Sequence, residues 1–149
     1  MVAVVLLDTN FLYIPMEFKI DVFEEIPRLL EEATELVLLS GVKDEIVEKN
    51  KRTLGKLVSK QGLGALQLVS KMVELGTVKF LKIERRAKEA VDDYVIRAGV
   101  QIKNAPADGN AKPATRIVIA TNDKGLKAKA VAAGYSVVQL RQKTHLELL

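Results

Sequence analysis

Short apolar runs alternate along the chain with longer segments of helical periodicity. The first run, 2–7, is continuous, rich in Val and stopped by Asp8, Thr9 and Asn10, which is the pattern of a strand buried on both faces of a parallel sheet. Four further runs of this character occupy 35–39, 78–83, 116–120 and 136–140. The alternation predicts an α/β fold with a central parallel sheet of about five strands flanked by helices.

Helical segments fill most of the chain between these runs. Apolar residues at helical spacing cover 22–30, the stretch after Ser40, 54–75, 87–102 and 123–133. Asp21 and Ser40 are residue types that cap the start of a helix, while Gly76 and Gly134 are of the type that ends one. Segment 104–113 is rich in Asn, Pro and Gly and predicts a loop.

Composition narrows the class of protein. With 149 residues, of which 48% are hydrophobic and 28% charged, the chain 1–149 is expected to fold as one domain. It has no cysteine, which excludes disulfides, thiolate metal sites and cysteine nucleophiles. The single histidine, His145, excludes sites built from several histidines, and we expect it at the surface or in packing.

Charge indicates the kind of partner. Lys and Arg number 23 against 19 Asp and Glu, for a net charge of +4 and a pI near 9.3, which favours a polyanionic partner. The apolar run 2–7 is too short to cross a bilayer and lacks the pattern of a secretion signal. We therefore expect a cytoplasmic protein without a membrane partner.

Acidic residues follow the predicted strands. Asp8 comes directly after the first strand, and Asp123 follows the fourth through Thr121 and Asn122. In open parallel sheets the ligand site lies beyond the carboxyl ends of the strands, near the point where strand order reverses. Three more acids lie on helices that can reach the same edge of the sheet, namely Glu45, Asp92 and Asp93.

Converging carboxylates repel one another and raise their own pKa values, so such a cluster is stable only with a cation among them. Ligands that are all oxygen favour a hard ion. Mg²⁺ or Mn²⁺ matches this donor set, whereas zinc and iron do not.

Four segments carrying these acids resemble, in order, the four motifs of the PIN-domain ribonucleases. They are VVLLDTN at 4–10, SGVKDEI at 40–46, VDDYVI at 91–96 and ATNDKGL at 120–126. Each is short, but acids of the right order and element type together make a specific signal. The segment GYSVVQLRQK at 134–143 further resembles the archaeal and eukaryotic branch that processes ribosomal RNA. Segment 104–113 is longer than the connection expected in the family.

The resemblance implies a metal-dependent endoribonuclease that cuts single-stranded RNA with a metal-activated water. It implies as catalytic acids Asp8, Glu45, Asp123 and a member of the pair Asp92 and Asp93. Of these, the metal ligands would be Asp8, Asp92, Asp93 and Asp123. Helical phase favours Asp92, and both members of the pair remain candidates. The side chains that would orient the ligands are Thr9, Asn10, Thr121 and Asn122.

Basic residues close to the acids along the chain are candidates for binding RNA phosphates. They are Lys49, Lys51 and Arg52 on one side, Lys124 and Lys127 on another, and Arg141 and Lys143 after the last strand. The expected partner is single-stranded RNA, which the family branch suggests is ribosomal. A homodimer or an assembly partner is also compatible with the family.

Three other functions compete with ribosomal RNA processing. A toxin-type PIN ribonuclease of a toxin and antitoxin pair would use the same acids, and a non-catalytic RNA-binding or assembly module would keep only the fold. A phosphatase with Asp8 as covalent nucleophile has a weaker case, because Asn10 stands where a second acid is expected. Dinucleotide binding is disfavoured, since no Gly-rich turn follows the first strand.

Overall fold

The computed structural model describes residues 2–52, 57–105 and 115–149. In these ranges the strands are β1 (Val2–Leu7), β2 (Thr34–Leu39), β3 (Val78–Leu81), β4 (Thr115–Ala120), β5 (Ser136–Arg141) and β6 (His145–Leu148). The α-helices are α1 (Ile14–Phe18), α2 (Val22–Leu30), α3 (Ser40–Arg52), α4 (Leu57–Glu74), α5 (Val91–Lys103) and α6 (Lys124–Ala132). A 3-10 turn, Asn10–Tyr13, precedes α1.

The strands form a sheet in the order β3-β2-β1-β4-β5-β6. All neighbouring strands are parallel except β5 and β6, which pair antiparallel. The predicted α/β class is confirmed. The chain moves from β1 through β2 to β3 on one side and then returns to place β4 on the other side of β1, so strand order reverses between β1 and β4.

The core is centred on β1, whose residues from Ala3 to Leu7 are all buried. Burial on both faces explains why this strand is continuously apolar rather than alternating. The helices cover both faces with apolar side chains, including Ile26, Ile46, Val69 and Tyr94. The ends of β1 and β4 are thereby fixed as neighbours in a rigid core.

The structure corrects three local predictions. A sixth strand, β6, follows the five that were expected. The helix predicted over 87–102 begins only at Val91, since residues 87 and 88 form a turn, with Lys88 at φ of 61°, and Ala90 is extended. The hydroxyl of Ser40 does not cap α3. It donates to the carbonyl of Ile83 and accepts from the Ile83 N–H instead.

Other predicted boundaries agree with the structure. Asp21 caps α2 by accepting hydrogen bonds from Phe23 N and Glu24 N. Gly76 and Gly134 follow helices with φ of 81°, a conformation that glycine adopts without steric cost. The predicted loop 104–113 begins as α5 ends at Lys103, and its residues 106–113 lie outside the described residues. Within the ranges above, no helix is long and apolar enough to cross a membrane.

Candidate functional site

Asp8 lies at the switch point of the sheet, directly after β1. Its side chain is almost fully buried and accepts three hydrogen bonds, from Thr9 N at 2.9 Å, Asn10 Nδ2 at 3.0 Å and Thr121 Oγ1 at 2.7 Å. Its own N–H donates to the carbonyl of Ala120 at the end of β4. The carboxylate is therefore held in one orientation by both strands of the switch point.

Polar side chains after β1 and β4 tie the two strand ends together. Thr121 Oγ1 donates to Asp8 and accepts from the N–H of Asp123 at 3.1 Å. Asn10 Oδ1 accepts from Asn122 N at 3.2 Å, and Asn122 Oδ1 accepts from Leu140 N at 2.8 Å. The predicted role of orienting the acids therefore fits the positions of Thr121, Asn10 and Asn122.

Asp123 and Asp92 approach each other at the start of α6. Asp123 caps this helix, its Oδ2 accepting from Leu126 N at 2.8 Å. A Cβ added at Gly125 would lie 3.3 Å from Asp123 Oδ2 and 3.4 Å from Asp92 Oδ2. The glycine leaves room for the two carboxylates on the same side of the helix end, so the first turns of α5 and α6 present their acids together.

Glu45 reaches the same region from α3. Its Oε1 forms an ion pair with Lys49 Nζ at 3.1 Å. Its Oε2 is buried and has no hydrogen-bond partner among the described residues, as is also true of Thr9 Oγ1. A buried carboxylate oxygen without a partner is costly, so these atoms indicate a site that accepts a ligand.

The acids line one small pocket of about 240 Å³ at the carboxyl edge of the sheet. Its walls are formed by Asp8, Thr9, Asn10, Glu45, Lys49, Val91, Asp92 and Asp123. We call it the acidic pocket. Four acids that are far apart in sequence therefore line one pocket. Asp8 and Asp123 reach it from strand ends, and Glu45 and Asp92 reach it from helices.

Asp93 lies outside this pocket. Its side chain is 60% exposed and pairs with Lys129 Nζ at 2.9 Å. Lys129 also lies 4.0 Å from Asp92 Oδ2. Of the two candidates, the structure brings only Asp92 to the acidic pocket. The approach of Lys129 to Asp92 could not be predicted from the sequence, because it depends on how α5 and α6 pack.

Burial and like charge act on the carboxylates of the pocket. The pKa of Asp8 is raised, chiefly because burial disfavours its charged form, and the charges of Glu45 and Asp92 add to this against the hydrogen bonds from Thr121 and Thr9. The pKa of Asp92 is also raised, first by burial and then by the charge of Asp123, with Lys129 opposing. The ionised forms of both acids are therefore destabilised, and a bound cation would stabilise them.

The donor chemistry of the pocket fits a hard divalent ion, since its polar walls offer carboxylate, amide and hydroxyl oxygens. The orphaned Glu45 Oε2 supports this fit. As the side chains lie, no three acidic or histidine residues in the described ranges are close enough to share one ion. Lys49 Nζ pairs with Glu45 at 3.1 Å, and Lys129 Nζ lies 4.0 Å from Asp92 Oδ2. Binding an ion therefore requires the carboxylates of the pocket to turn towards it.

The basic residues predicted to bind RNA are dispersed around this edge. Lys49 lines the pocket, and Lys124 is exposed at the start of α6. Arg52 and Lys143 are also exposed. The others have partners within the protein: Lys51 pairs with Glu48, Lys127 donates to Gln139 Oε1, and Arg141 pairs with Glu147.

The raised pKa of Asp92 predicts a pH-dependent gain in stability for the variant Asp92→Asn. The folded protein binds this proton more tightly than the unfolded chain, so the ionised Asp92 destabilises the fold above its folded pKa and ceases to do so below its unfolded pKa. We expect the variant to melt at a higher temperature than the wild type at about pH 8, and the difference to shrink towards about pH 4. Thermal melts of both proteins across this pH range measure the difference in melting temperature. A difference that stays constant with pH would contradict the prediction.

The fold and the acidic pocket define a class of protein. A family model described as a PIN like domain matches residues 5–143. The chain therefore belongs to the PIN-like domain family, and the resemblance seen in the sequence is confirmed.

Individual relatives agree with this assignment. The chain is 27% identical over 141 residues to "Ribonuclease VapC4" of Methanocaldococcus jannaschii, an alignment that covers 95% of this chain and 92% of that protein. Among solved structures, the PIN domain endonuclease Utp24 matches with a TM-score of 0.66 and 20% identity, covering 97% of this chain and 90% of that chain. At this identity the structural match is evidence for the fold alone.

Proposed function

We propose that this protein is a metal-dependent endoribonuclease that cleaves single-stranded RNA at the acidic pocket. The observation that carries the proposal is the meeting of Asp8, Glu45, Asp92 and Asp123 in one pocket at the switch point. Two of these acids have raised pKa values, which is typical of functional sites. Relatedness to a protein named a ribonuclease supports RNA as the substrate.

The residues of the pocket divide into those that would hold Mg²⁺ or Mn²⁺ and those that orient them. Asp8, Asp92 and Asp123 would be ligands, and Glu45 offers the oxygen that has no partner. Thr121 and Asn10 fix the Asp8 carboxylate by donating to its Oδ2. The bound ion supplies a water of lowered pKa and neutralises charge on the scissile phosphate.

Lys49 has a separate role in this proposal. Its ammonium group lines the pocket beside Glu45, at a distance where a phosphate entering the pocket would contact it. Because a phosphodiester is an anion, Lys49 would favour the entry of substrate into a pocket that is otherwise acidic.

Cleavage of labelled single-stranded RNA tests this function. With Mn²⁺ or Mg²⁺ the wild type is expected to produce internal cuts, and EDTA is expected to stop them, since the carboxylates cannot bind the scissile phosphate without a cation. RNA that is bound but never cut, in either metal, would instead favour a non-catalytic RNA-binding or assembly module of the same fold.

Ribosomal RNA processing is the cellular role we propose, on the resemblance of segment 134–143 to that branch of the family. A toxin-type ribonuclease is the second candidate, favoured by relatedness to the VapC4 ribonuclease. Incubation with total RNA and with a ribosomal RNA precursor distinguishes them. A processing enzyme is expected to cut the precursor at a defined position and leave mature RNA intact, whereas a toxin is expected to cut mature RNA.

A further inference from the structure

The connection between β3 and α5, residues 82–90, has the sequence KIERRAKEA and follows the carboxyl edge of the sheet. It contains four cations and was not among the segments predicted to bind RNA. We call it the basic connection. Its cations are Lys82, Arg85, Arg86 and Lys88.

The basic connection is held in place along its length. Near its start, Ile83 is buried and bonded to Ser40 and to the hydroxyl of Tyr94. Towards its end, Arg97 of α5 binds Glu89 through two hydrogen bonds of 2.8 Å, and its Nη2 also donates to the carbonyl of Glu84. This forked geometry is typical of strong arginine–carboxylate pairs.

The carboxylate of Glu89 has Arg97 as its main partner, and the charge of Arg86 acts on it more weakly. Its carboxylate is occupied by Arg97 and by the N–H of Arg86. These hydrogen bonds lower its pKa to about 2, so the clamp stays intact at neutral pH. Among the described residues, the side chains of Arg86 and Lys88 form neither a salt bridge nor a hydrogen bond, and both residues are exposed.

The backbone of the connection also indicates a fixed shape. Lys88 has φ of 61°, in the left-handed region that is uncommon for residues other than glycine. Such a conformation persists where surrounding contacts determine it, and here the Glu89–Arg97 clamp follows directly. The two exposed cations are therefore presented on a preorganised turn.

The basic connection adjoins the acidic pocket. It ends immediately before Val91 and Asp92, which line the pocket. The aliphatic part of the Arg85 side chain packs against Gly41, since a Cβ added at Gly41 would lie 2.9 Å from Arg85 Cδ. Gly41 is in the first turn of α3, the helix that carries Glu45. The connection thus borders the pocket on the β3 side, whereas Lys124 and Lys143 follow β4 and β5 on the other side.

We propose that Arg86 and Lys88 form a phosphate-binding platform for the RNA strand on the β3 side of the acidic pocket. This inference rests on the proposed function for its choice of substrate. A strand that crosses the pocket meets cations on both sides, so the geometry favours an RNA that continues past the scissile phosphate in both directions. An acidic protein segment is the other occupant of matching charge, and the adjacent pocket favours RNA because its acids suit phosphodiester chemistry.

RNA binding by the 149-residue chain in EDTA tests the platform without cleavage. The double variant Arg86→Ala/Lys88→Ala is compared with Lys71→Ala/Lys103→Ala, which loses the same charge from exposed positions in the last turns of α4 and α5, away from the pocket. For a labelled single-stranded RNA of twenty or so nucleotides, we expect binding by the platform variant to be roughly tenfold weaker at low salt. The slope of log affinity against log salt concentration should be shallower than that of the wild type by about 1.4, because two phosphate contacts on a single strand are lost.

Further variants keep the test specific. The exchange Arg86→Lys/Lys88→Arg keeps both charges and is expected to retain the wild-type slope, while melting curves check that each variant is folded. In cleavage assays the loss should be seen in KM with kcat unchanged, because contacts remote from the reacting phosphate bind substrate and transition state alike.

The outcomes separate the two proposals. If the platform and control variants have equal RNA affinities and equal salt slopes, the platform proposal is contradicted, even if cleavage is confirmed. The absence of RNA binding by the wild type would also contradict it. A platform-dependent salt slope in a protein that cuts no RNA would support the platform and contradict the nuclease proposal.

Discussion

The variant Asp92→Asn is expected to cleave RNA about a thousandfold or more slowly than the wild type, while Asp93→Asn changes the rate by less than about threefold. The two residues are neighbours on α5, and the substitution is chemically the same. Only Asp92 lines the acidic pocket, where it meets the charges of Asp123 and Glu45. Asp93 is exposed and bonded to Lys129, and exposed ion pairs contribute little.

Single-turnover cleavage in saturating Mn²⁺ measures this contrast. The Asp93→Asn protein serves as the matched control for charge removal on this helix. Equal losses in both variants would show that the charge of the region, rather than the pocket, determines the rate. An active Asp92→Asn protein would remove this residue from the proposed ligand set.

The variant Tyr94→Phe is expected to lower the free energy of unfolding by about 1–3 kcal/mol. The hydroxyl of this fully buried residue donates to the carbonyl of Ile83 at 2.7 Å and accepts from Gly41 N at 3.0 Å. Its loss leaves the Gly41 N–H, in the first turn of α3, without that partner. Tyr94→Ala should cost more, about 3–5 kcal/mol, because a cavity is added.

Urea unfolding of both variants tests this prediction, with Tyr135→Phe as the control. Tyr135 is also buried and packs over Gly99, but its hydroxyl makes no hydrogen bond within the described ranges. We expect a change of less than about 0.5 kcal/mol there. Equal effects at the two tyrosines would mean that the Tyr94 hydroxyl does not hold α3 and α5 together.

The strand pattern of the sequence predicted β1 to β5 to within two residues at each end. These strands are buried, so their apolar character is a direct consequence of their position. The sixth strand was not predicted, because it is short and begins with the exposed His145. Its hairpin turn places Gln142 and Lys143 at φ of 54° and 61°, and neither residue is a typical signal for such a turn.

Local propensity failed where tertiary contacts decide the conformation. Residues 87–90 include good helix formers, yet the Glu89–Arg97 clamp holds them outside α5. Ser40 has the character of a helix cap but bonds Ile83, 43 residues away. The positions of Asp8 and Asp123 directly after predicted strands indicated that these two acids lie close together, and helical phase favoured Asp92 over Asp93. The structure places Asp92 at the acidic pocket and leaves Asp93 outside it.

Calorimetric titration with Mn²⁺ tests most directly whether the acidic pocket is a metal site. The wild type and Asp93→Asn are expected to bind the ion saturably, and Asp8→Asn is expected to lose that binding, since Asp8 lies at the centre of the switch point. Equal binding by Asp8→Asn would contradict the account. So would the absence of Mn²⁺ binding by the wild type, both alone and with a single-stranded RNA.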